Sequence, residues 1–290
     1  MLAAKKRFYL HPMKILKWII LTALFLITLY PFWWIIMMSF SSGDLVTGYQ
    51  LMLVPKGFTL DNLKYILSTA DFFHIYANTA FVVIVGTGIS LILTLLLSYG
   101  LSQQIPGRKA IRMMVLFTML FHGGMIPTYI VVRNTGLLNS LWALIIPVAI
   151  SPFNTFLLIN ALKTIPPSLS ESAQLDGAGE LTILFRVILP LAVPTLATLL
   201  LFYAVGYWNT YLSALIYLPR RENWVLQVLL RQILVQSSGE GVGSADDIAS
   251  QMGTTLKMAT VLTAVVPIMV IYPFLQKYFI KGVMVGAIKE

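Results

Sequence analysis

Residues that could carry out covalent or metal chemistry are few and scattered in this chain. It has no cysteine, which excludes disulfides and thiolate metal sites, and its three histidines (His11, His74 and His122) lie far apart. It contains no glycine-rich phosphate loop ending in Gly-Lys-Ser/Thr, so it supplies no ATP site of that type. We interpret His122, beside two glycines, as a packed residue rather than a catalytic one. We therefore expect no catalytic residue, no metal site and no cofactor bound by this chain.

The polar residues with the most informative spacing lie between two apolar runs, in Lys163–Pro190, which we call the knob segment. Pro166-Pro167 predicts the end of the preceding helix. Ser168 with Glu171 has the spacing of a capping box, so a short helix is expected to begin there, and Gly177 suits its left-handed end. A second helix should then carry one apolar face, formed by Leu181, Leu184, Phe185 and Ile188. This shape suits docking into a groove on another protein, and the alternative is an ordinary amphipathic connector.

Six long uncharged runs indicate a membrane protein. The chain of 290 residues is 58% hydrophobic and only 11% charged, whereas about a quarter of the residues in a soluble domain are charged. No Asp, Glu, Lys or Arg occurs in residues 18–43, 72–107, 113–132, 134–162, 187–219 or 258–276. A helix needs roughly 20 mainly apolar residues to cross a bilayer. We therefore predict an all-α membrane protein with six transmembrane helices.

The predicted spans are 18–40, 76–103, 113–132, 141–162, 188–218 and 258–276. The first is too long for a signal peptide and lacks a small-residue cleavage site, so it is expected to be retained. In the second, Gly86, Thr87, Gly88 and Ser90 predict close helix packing. His122-Gly123-Gly124 with Pro127 should break the third, which a membrane tolerates only where protein or water covers the freed backbone groups. We divide the chain into residues 1–75, with the first span and an outer loop, and a five-helix core, residues 76–290.

The distribution of charge predicts the orientation. If the amino terminus is inside, the cytoplasmic segments hold 13 of the 20 basic residues and 4 of the 11 acidic ones. The net charge of +9 then lies on the cytoplasmic side, as the positive-inside rule requires, and it indicates a lipid bilayer rather than nucleic acid as the partner. Both termini and the knob segment are expected in the cytosol.

The knob segment resembles the EAA loop of ABC-importer permeases. The family pattern is Glu-Ala-Ala, three residues, Gly, nine residues and Ile-x-Leu-Pro. Glu171-Ser172-Ala173, Gly177 and Val187-Ile188-Leu189-Pro190 fall at these spacings, with Ser172 in place of Ala and Val187 in place of Ile. Across the chain the similarity is to MalG-like permeases of carbohydrate importers, in the branch that works with LplA-type oligosaccharide-binding lipoproteins. The other residues that carry it are Asn78-Thr79, Gly124–Tyr129, Trp208-Asn209 and Tyr272–Tyr278.

This resemblance implies a MetI-like permease fold with cytoplasmic EAA coupling helices, in a plasma (bacterial inner) membrane. The implied partners are a second homologous permease in a heterodimer, two copies of a cytoplasmic ABC ATPase that bind the ATP and Mg, and an extracytoplasmic sugar-binding protein. The chain itself would be non-catalytic and form half of the pathway for oligosaccharides or polysaccharide fragments. The residues implied in ATPase coupling are Glu171, Ser172, Ala173, Asp176, Gly177, Leu189 and Pro190.

For the sugar path we predict Tyr203, Tyr207, Trp208 and Asn209, with Asn154 a weaker choice. Aromatic faces stack on sugar rings and amides bond hydroxyls, and binding pockets place a few such polar groups in an apolar wall. The alternative is that these groups join helices to one another.

Two further segments have roles that only the resemblance suggests. The outer loop before the last span, with Ser237, Gly239, Gly241 and Gly243, would reach the binding protein, unless it is a plain solvent loop. The tail, with Gly286, Ala287 and Lys289, would lie between the two ATPases, unless it is a frayed terminus.

The residues alone leave other classes of transporter possible. Ion-coupled carriers usually have charged residues within their spans, and the six spans lack them, which argues against the alternative of a stand-alone channel or secondary carrier. A permease for peptides or another solute is a second alternative. The outer residues Arg133, Arg220, Arg221 and Arg231 would suit an acidic oligosaccharide such as an alginate-type uronate, although outer acids balance them.

Overall fold

A computed structural model of the chain describes residues 12–46, 51–68, 70–236 and 253–287. The secondary structure within these ranges is helical, apart from one isolated bridge between Ser41 and Phe58. The helices are α1 (Pro12–Ser39), α2 (Asp61–Ser68), α3 (Ala70–Ser102), α4 (Arg108–Leu120), α5 (Met125–Asn134), α6 (Trp142–Ile145), α7 (Pro152–Leu162), α8 (Pro167–Leu175), α9 (Glu180–Ile183), α10 (Leu189–Trp208), α11 (Leu212–Tyr217), α12 (Leu226–Gln236) and α13 (Thr254–Ala287). A π-helical turn, Leu184–Ile188, joins α9 to α10.

Four of the helical stretches in the described ranges are long and apolar enough to cross a membrane. They are α1, α3, the continuous α9–α10 stretch and the first part of α13. Two further candidates are bent pairs, with 116° between α4 and α5 and 51° between α6, with the turn that follows it, and α7. If each bent pair is one span, the total is six, which is the number predicted from the uncharged runs.

The fifth span differs from its predicted bounds of 188–218. The helix already begins at Glu180 and ends at Trp208. The Asn209 amide donates to the backbone oxygen of Val205 at 2.9 Å, and the Thr210 hydroxyl donates to that of Gly206 at 3.1 Å. Such side-chain bonds compete with the backbone ladder, so the chain breaks here and resumes as the short α11.

The chain divides into two compact units, and the first lies within residues 1–68 and 233–265. Here the end of α1 is tied to α2 and to the loop between them. The Asn62 amide donates to the backbone oxygens of Ser39 and Ser41 at 3.2 and 2.8 Å. The rings of Phe40 and Phe58 stack with their centroids 5.8 Å apart. This loop is therefore an ordered extension of α1.

The second unit lies within residues 69–232 and 266–290, and α3, α7 and α10 form its centre. Two apolar clusters follow one another along α3. One contains Val82 and Leu144, and the other contains Leu95 and Leu158. The interior of this unit thus consists of α3 packed against α10, with α6 and α11 beside them in the first cluster and α7 in the second.

The close packing predicted for the small residues of α3 holds at one glycine and not at the other. A Cβ atom on Gly86 would lie 2.8 Å from the Tyr207 ring, whereas a Cβ on Gly88 would meet nothing within 4 Å. Gly86 is therefore the position where α10 approaches α3 too closely for any side chain.

Candidate functional site

The first helix of the knob segment has its N-cap two residues earlier than predicted, at Pro166 instead of Ser168. Helix α8 starts at Pro167, and Pro166 occupies the N-cap position with an extended ψ of 128° and no side-chain hydrogen bond. Proline is favoured at the first helical position because its φ is already helical and its missing N–H is not needed there. Ser168 therefore lies inside the first turn, and the predicted Ser168–Glu171 capping box does not form.

The predicted end of this helix at Gly177 is confirmed. Gly177 has a φ of +82°, in the left-handed region. Its N–H donates to the Gln174 oxygen at 3.0 Å, and the Ala178 N–H donates to the Ala173 oxygen at 2.9 Å. These two bonds form a Schellman motif, which satisfies the last carbonyls of the helix.

Helix α8 presents most of its surface outward. It contains no buried residue, and Leu175 at its end is 90% exposed. Glu171, Ser172, Asp176 and Gly177 are exposed as well, whereas Ala173 is partly buried against the second cluster. A side chain on Gly177 would meet nothing within 4 Å, so this corner points into open space.

The second helix of the knob segment buries a different face from the predicted one. Leu184 and Ile188 are buried as expected, but Leu181 is 66% and Phe185 51% exposed, while Ile183 is fully buried. The reason is the π turn, because its five-residue spacing puts Ile183 and Ile188 on the same side. The implied anchors at the start of α10 differ in burial, since Leu189 is partly buried and Pro190 is exposed.

The aromatic residues predicted for the sugar path are buried between helices. The hydroxyl of Tyr203 lies 2.7 Å from that of Thr94 and accepts from the Ser151 N–H at 3.0 Å. The hydroxyl of Tyr207 lies 2.8 Å from that of Ser90 and also contacts the backbone oxygen of Ile145 at 3.4 Å. Both hydroxyls therefore join α10 to α3 and to the chain around the α6–α7 break.

The other three predicted path residues are not gathered in one place. Trp208 is buried with its ring edge-on to Tyr76, and its Nε1 has no hydrogen-bond partner among the described residues. Asn154 is buried at the start of α7. Asn209 is exposed, and its amide is already bonded to α10.

A cavity of about 410 Å³ lies where broken helices meet, and we call it the break cavity. Its wall includes the α4–α5 break, the end of α6 with the turn after it, and the α10–α11 break. The polar side chains that line it are His122, Thr128, Thr210, Ser213 and Tyr217. It is within the size range of small-molecule sites and combines an apolar wall with a few polar groups.

The sequence predicted the break at His122–Pro127 but not the cavity. Thr210 and Ser213 also line it, and the available signal was the Asn209-Thr210-Tyr211 interruption of an apolar run. Among the described residues there is no group of three or more His, Cys, Asp or Glu side chains that could hold a metal ion. The break cavity can thus bind a ligand by hydrogen bonds and apolar contact.

Two predicted sites fall at the limits of the structure. Ser237, Gly239, Gly241 and Gly243 of the outer loop lie outside the described residues, as does Lys289 of the tail. Gly286 and Ala287 are the last two residues of α13.

Exposed apolar helices, two bent helix pairs and the knob segment are the features expected of a membrane permease. The sequence matches the family described as "Binding-protein-dependent transport system inner membrane component" over residues 1–285, and the chain belongs to this family. It is a multi-pass inner-membrane protein. The resemblance to ABC-importer permeases, drawn above from the knob segment, is confirmed.

Particular relatives are similar over nearly the whole chain. The polygalacturonan/rhamnogalacturonan transport system permease protein YtcP of Bacillus subtilis (strain 168) is 44% identical over 270 residues, which is 91% of this chain and 93% of that protein. Protein LplC of the same strain is 40% identical over 267 residues, 91% of this chain and 90% of that protein. A solved chain from a bacterial ABC transporter involved in import of the acidic polysaccharide alginate has a TM-score of 0.85 and 33% identity, covering 94% of this chain and all (100%) of that one.

Proposed function

We propose that this chain is a permease subunit of an ATP-driven importer for oligosaccharides or polysaccharide fragments, and that it forms half of the translocation pathway. The names of the relatives support a carbohydrate substrate, because the descriptions of YtcP and of the solved transporter both name polysaccharides as what is transported. Polygalacturonan and alginate are both acidic, and this favours a uronate-containing oligosaccharide. Arg133, Arg220, Arg221 and Arg231 would then lie on the side from which the sugar arrives.

The observation that carries the coupling role is the outward-facing α8 with its left-handed Gly177 corner. We propose that this corner lies in the cytosol and docks in a groove of a partner ABC ATPase, which binds ATP and Mg and hydrolyses ATP. Glu171 and Asp176 would contact the groove, because they are exposed on the helix and at its end. Ala173 packs partly against the second cluster and would contact the groove only with its remaining surface. When ATP closes the ATPase dimer, the docked helices move and shift the spans from inward-facing to outward-facing states. ATP can drive this change only because it binds the two states with different affinity.

We place this chain's wall of the sugar path at the break cavity. Backbone that is not helical occurs at membrane depth only where protein covers it or where it lines a water-filled space, and three interruptions meet here. Substrate sites of transporters are commonly built from such discontinuous helices. The roles of Tyr203, Tyr207, Trp208, Asn209 and Asn154 stay a prediction, and the hydrogen bonds of the two tyrosine hydroxyls favour the alternative that they join helices.

The remaining partners follow from the proposed function. A second homologous permease would supply the other half of the pathway, and two ATPase copies would dock on the two permeases. An extracytoplasmic sugar-binding protein fits the description of the family, and the loop with Ser237, Gly239, Gly241 and Gly243 would contact it. The tail with Gly286, Ala287 and Lys289 would lie between the ATPases.

A pair of glycine variants tests the docking of the knob segment. Gly177 and Gly107 have nearly the same φ, +82° and +79°, and a side chain on either would meet nothing within 4 Å. Gly177→Leu and Gly107→Leu should therefore cost similar backbone strain within the chain. Only the first would put a side chain into the proposed ATPase groove.

We expect Gly177→Leu to lower uptake of labelled oligogalacturonides or alginate oligosaccharides at least about tenfold, because a side chain forced into a packed contact costs more than about 1.4 kcal/mol. Gly107→Leu should transport like the unchanged chain. The unchanged chain should also co-purify with an ATPase and a second permease. Normal uptake by Gly177→Leu, or full uptake in cells lacking the ATPase, would refute the coupling role.

A further inference from the structure

A hydrogen-bonded triad joins the knob segment to the core of the second unit. The hydroxyl of Tyr99, near the end of α3, donates to Oε2 of Glu180 at 2.7 Å. The side-chain amide of Gln174 in α8 donates to Oε1 of the same carboxylate at 3.2 Å. Tyr99 is itself buried, at 8% exposure, in the cluster that also contains Ile183 and Leu184. One carboxylate thus bridges an exposed helix and a buried one.

This bridge is the side-chain hydrogen bond that holds α8 among the described residues. The helix has no buried residue of its own, and the Gln174–Glu180 bond is the one hydrogen bond that its side chains make among the described residues. Apart from this bond, the partly buried Ala173 and Ala178 hold the α8 corner against the cluster. Hydrogen bonds to an ionised group are roughly twice as strong as neutral ones and are directional. The two hydrogen bonds of Glu180 thus form a direct link from α8 to Tyr99.

We infer that Glu180 is a positioning residue, which makes α8 and the end of α3 move as one body when the knob segment is displaced. The inference rests on the proposed ATPase docking, but it concerns the connection behind α8, in which Glu180 is exposed and its donor Tyr99 is buried. Tyr99 and Gln174 are its two donors. Loss of the Tyr99 hydroxyl leaves the exposed surface of α8 intact and weakens only the connection behind it.

The first test uses the isolated chain in detergent, where no ATPase is needed. Tyr99→Phe removes one hydroxyl and should make the backbone amides of α8 exchange hydrogen about tenfold faster, the change expected when one hydrogen bond to a charged group is lost. Ser102→Ala is the matched control, because the Ser102 hydroxyl lies at the same end of α3 and bonds only within that helix. It donates to the backbone oxygen of Tyr99 at 2.6 Å, not to the Tyr99 hydroxyl. Unchanged exchange in Tyr99→Phe would overturn the inference.

The second test uses the complete transporter in proteoliposomes and measures sugar transported per ATP hydrolysed. Tyr99→Phe and Glu180→Ala should each lower this ratio about tenfold, and the double variant should be no worse than Glu180→Ala, because both remove the same connection. Glu180→Gln keeps an acceptor for Tyr99 and should recover part of the ratio. A residue needed only for folding would lower transport and ATP hydrolysis together and leave the ratio unchanged.

The outcomes separate this inference from the proposed function. If Gly177→Leu abolishes uptake but Tyr99→Phe leaves the transport ratio unchanged, docking stands and the Glu180 connection is overturned. If no ATPase accompanies the unchanged chain, the proposed function fails, and the hydrogen-exchange measurement still decides whether Glu180 joins α8 to α3.

Discussion

The close approach of α10 to α3 makes a sharp prediction for Gly86→Ala. The added Cβ would lie 2.8, 2.9 and 3.0 Å from three carbons of the Tyr207 ring, where ordinary carbon contacts lie at about 3.5–4.0 Å. The ring cannot move away freely, because its hydroxyl lies 2.8 Å from that of Ser90 and contacts the Ile145 oxygen. The overlap must therefore be relieved by moving α10, or by breaking buried hydrogen bonds.

The cost can be estimated by comparison with Gly88→Ala on the same helix. Both substitutions gain about 1 kcal/mol of helix propensity, and only the one at Gly86 meets an obstacle. Overpacking of this kind costs about 1–3 kcal/mol. The gain in propensity cancels in the comparison, so we expect Gly86→Ala to be less stable than Gly88→Ala by about 1–3 kcal/mol.

The free energy of unfolding can be measured by titrating the chain from mild detergent into SDS. Replacing Tyr207 by Leu removes the ring, so in that background the two alanine substitutions should become nearly equal in cost. If Gly86→Ala and Gly88→Ala are equally stable in the unchanged background, the reasoning is wrong, because α10 must then be free to shift.

Two further predictions concern the break cavity and the first part of α3. Ser213→Trp should block sugar uptake by filling the cavity, while its stability in detergent stays unchanged. The control Leu215→Trp, on the exposed side of α11, should transport normally. Equal uptake by both variants would show that the cavity is not part of the sugar path. Asn78→Ala deletes the amide that donates to the Glu222 and Trp224 oxygens at 2.9 and 3.1 Å, and it should lower the free energy of unfolding by about 2 kcal/mol, since it leaves two part-buried acceptors unpaired. A loss below about 0.5 kcal/mol, the range of a neutral surface substitution, would contradict this role of Asn78.

The membrane class and the approximate positions of the helices could be predicted because a bilayer sets a minimum length for an apolar run. The same reasoning could not show which runs are straight. Gly123-Gly124 and Pro127 revealed one break, but the 51° bend before α7 and the end of α10 at Trp208 depend on local side-chain and proline effects within apolar runs. The fifth span was predicted from an uncharged run, and because these interruptions carry no charge the prediction continued to Leu218.

Some of the candidate sites could likewise be predicted from the sequence, and others could not. Gly177 could be predicted because a helix end is a local matter, decided by which residue tolerates a positive φ. The break cavity could not, since its polar residues come from segments as far apart as His122 and Ser213 and meet only in the fold. The Tyr99–Glu180 bond was missed for the same reason, because 81 positions separate its partners.

The π turn at Leu184–Ile188 determines how α9 is rotated about the helix axis relative to α10. It holds one residue more than a regular turn of the same rise, and one residue in an α-helix corresponds to a rotation of about 100°. Deletion of a single residue there would restore a regular α-helix and would hardly change the hydrophobicity of the segment. It would nevertheless rotate Glu180 away from Tyr99, and Ile183 out of the interior. A chain without the extra residue would therefore need a different partner for Glu180, because the π turn sets the orientation of α8 and α9 relative to α10.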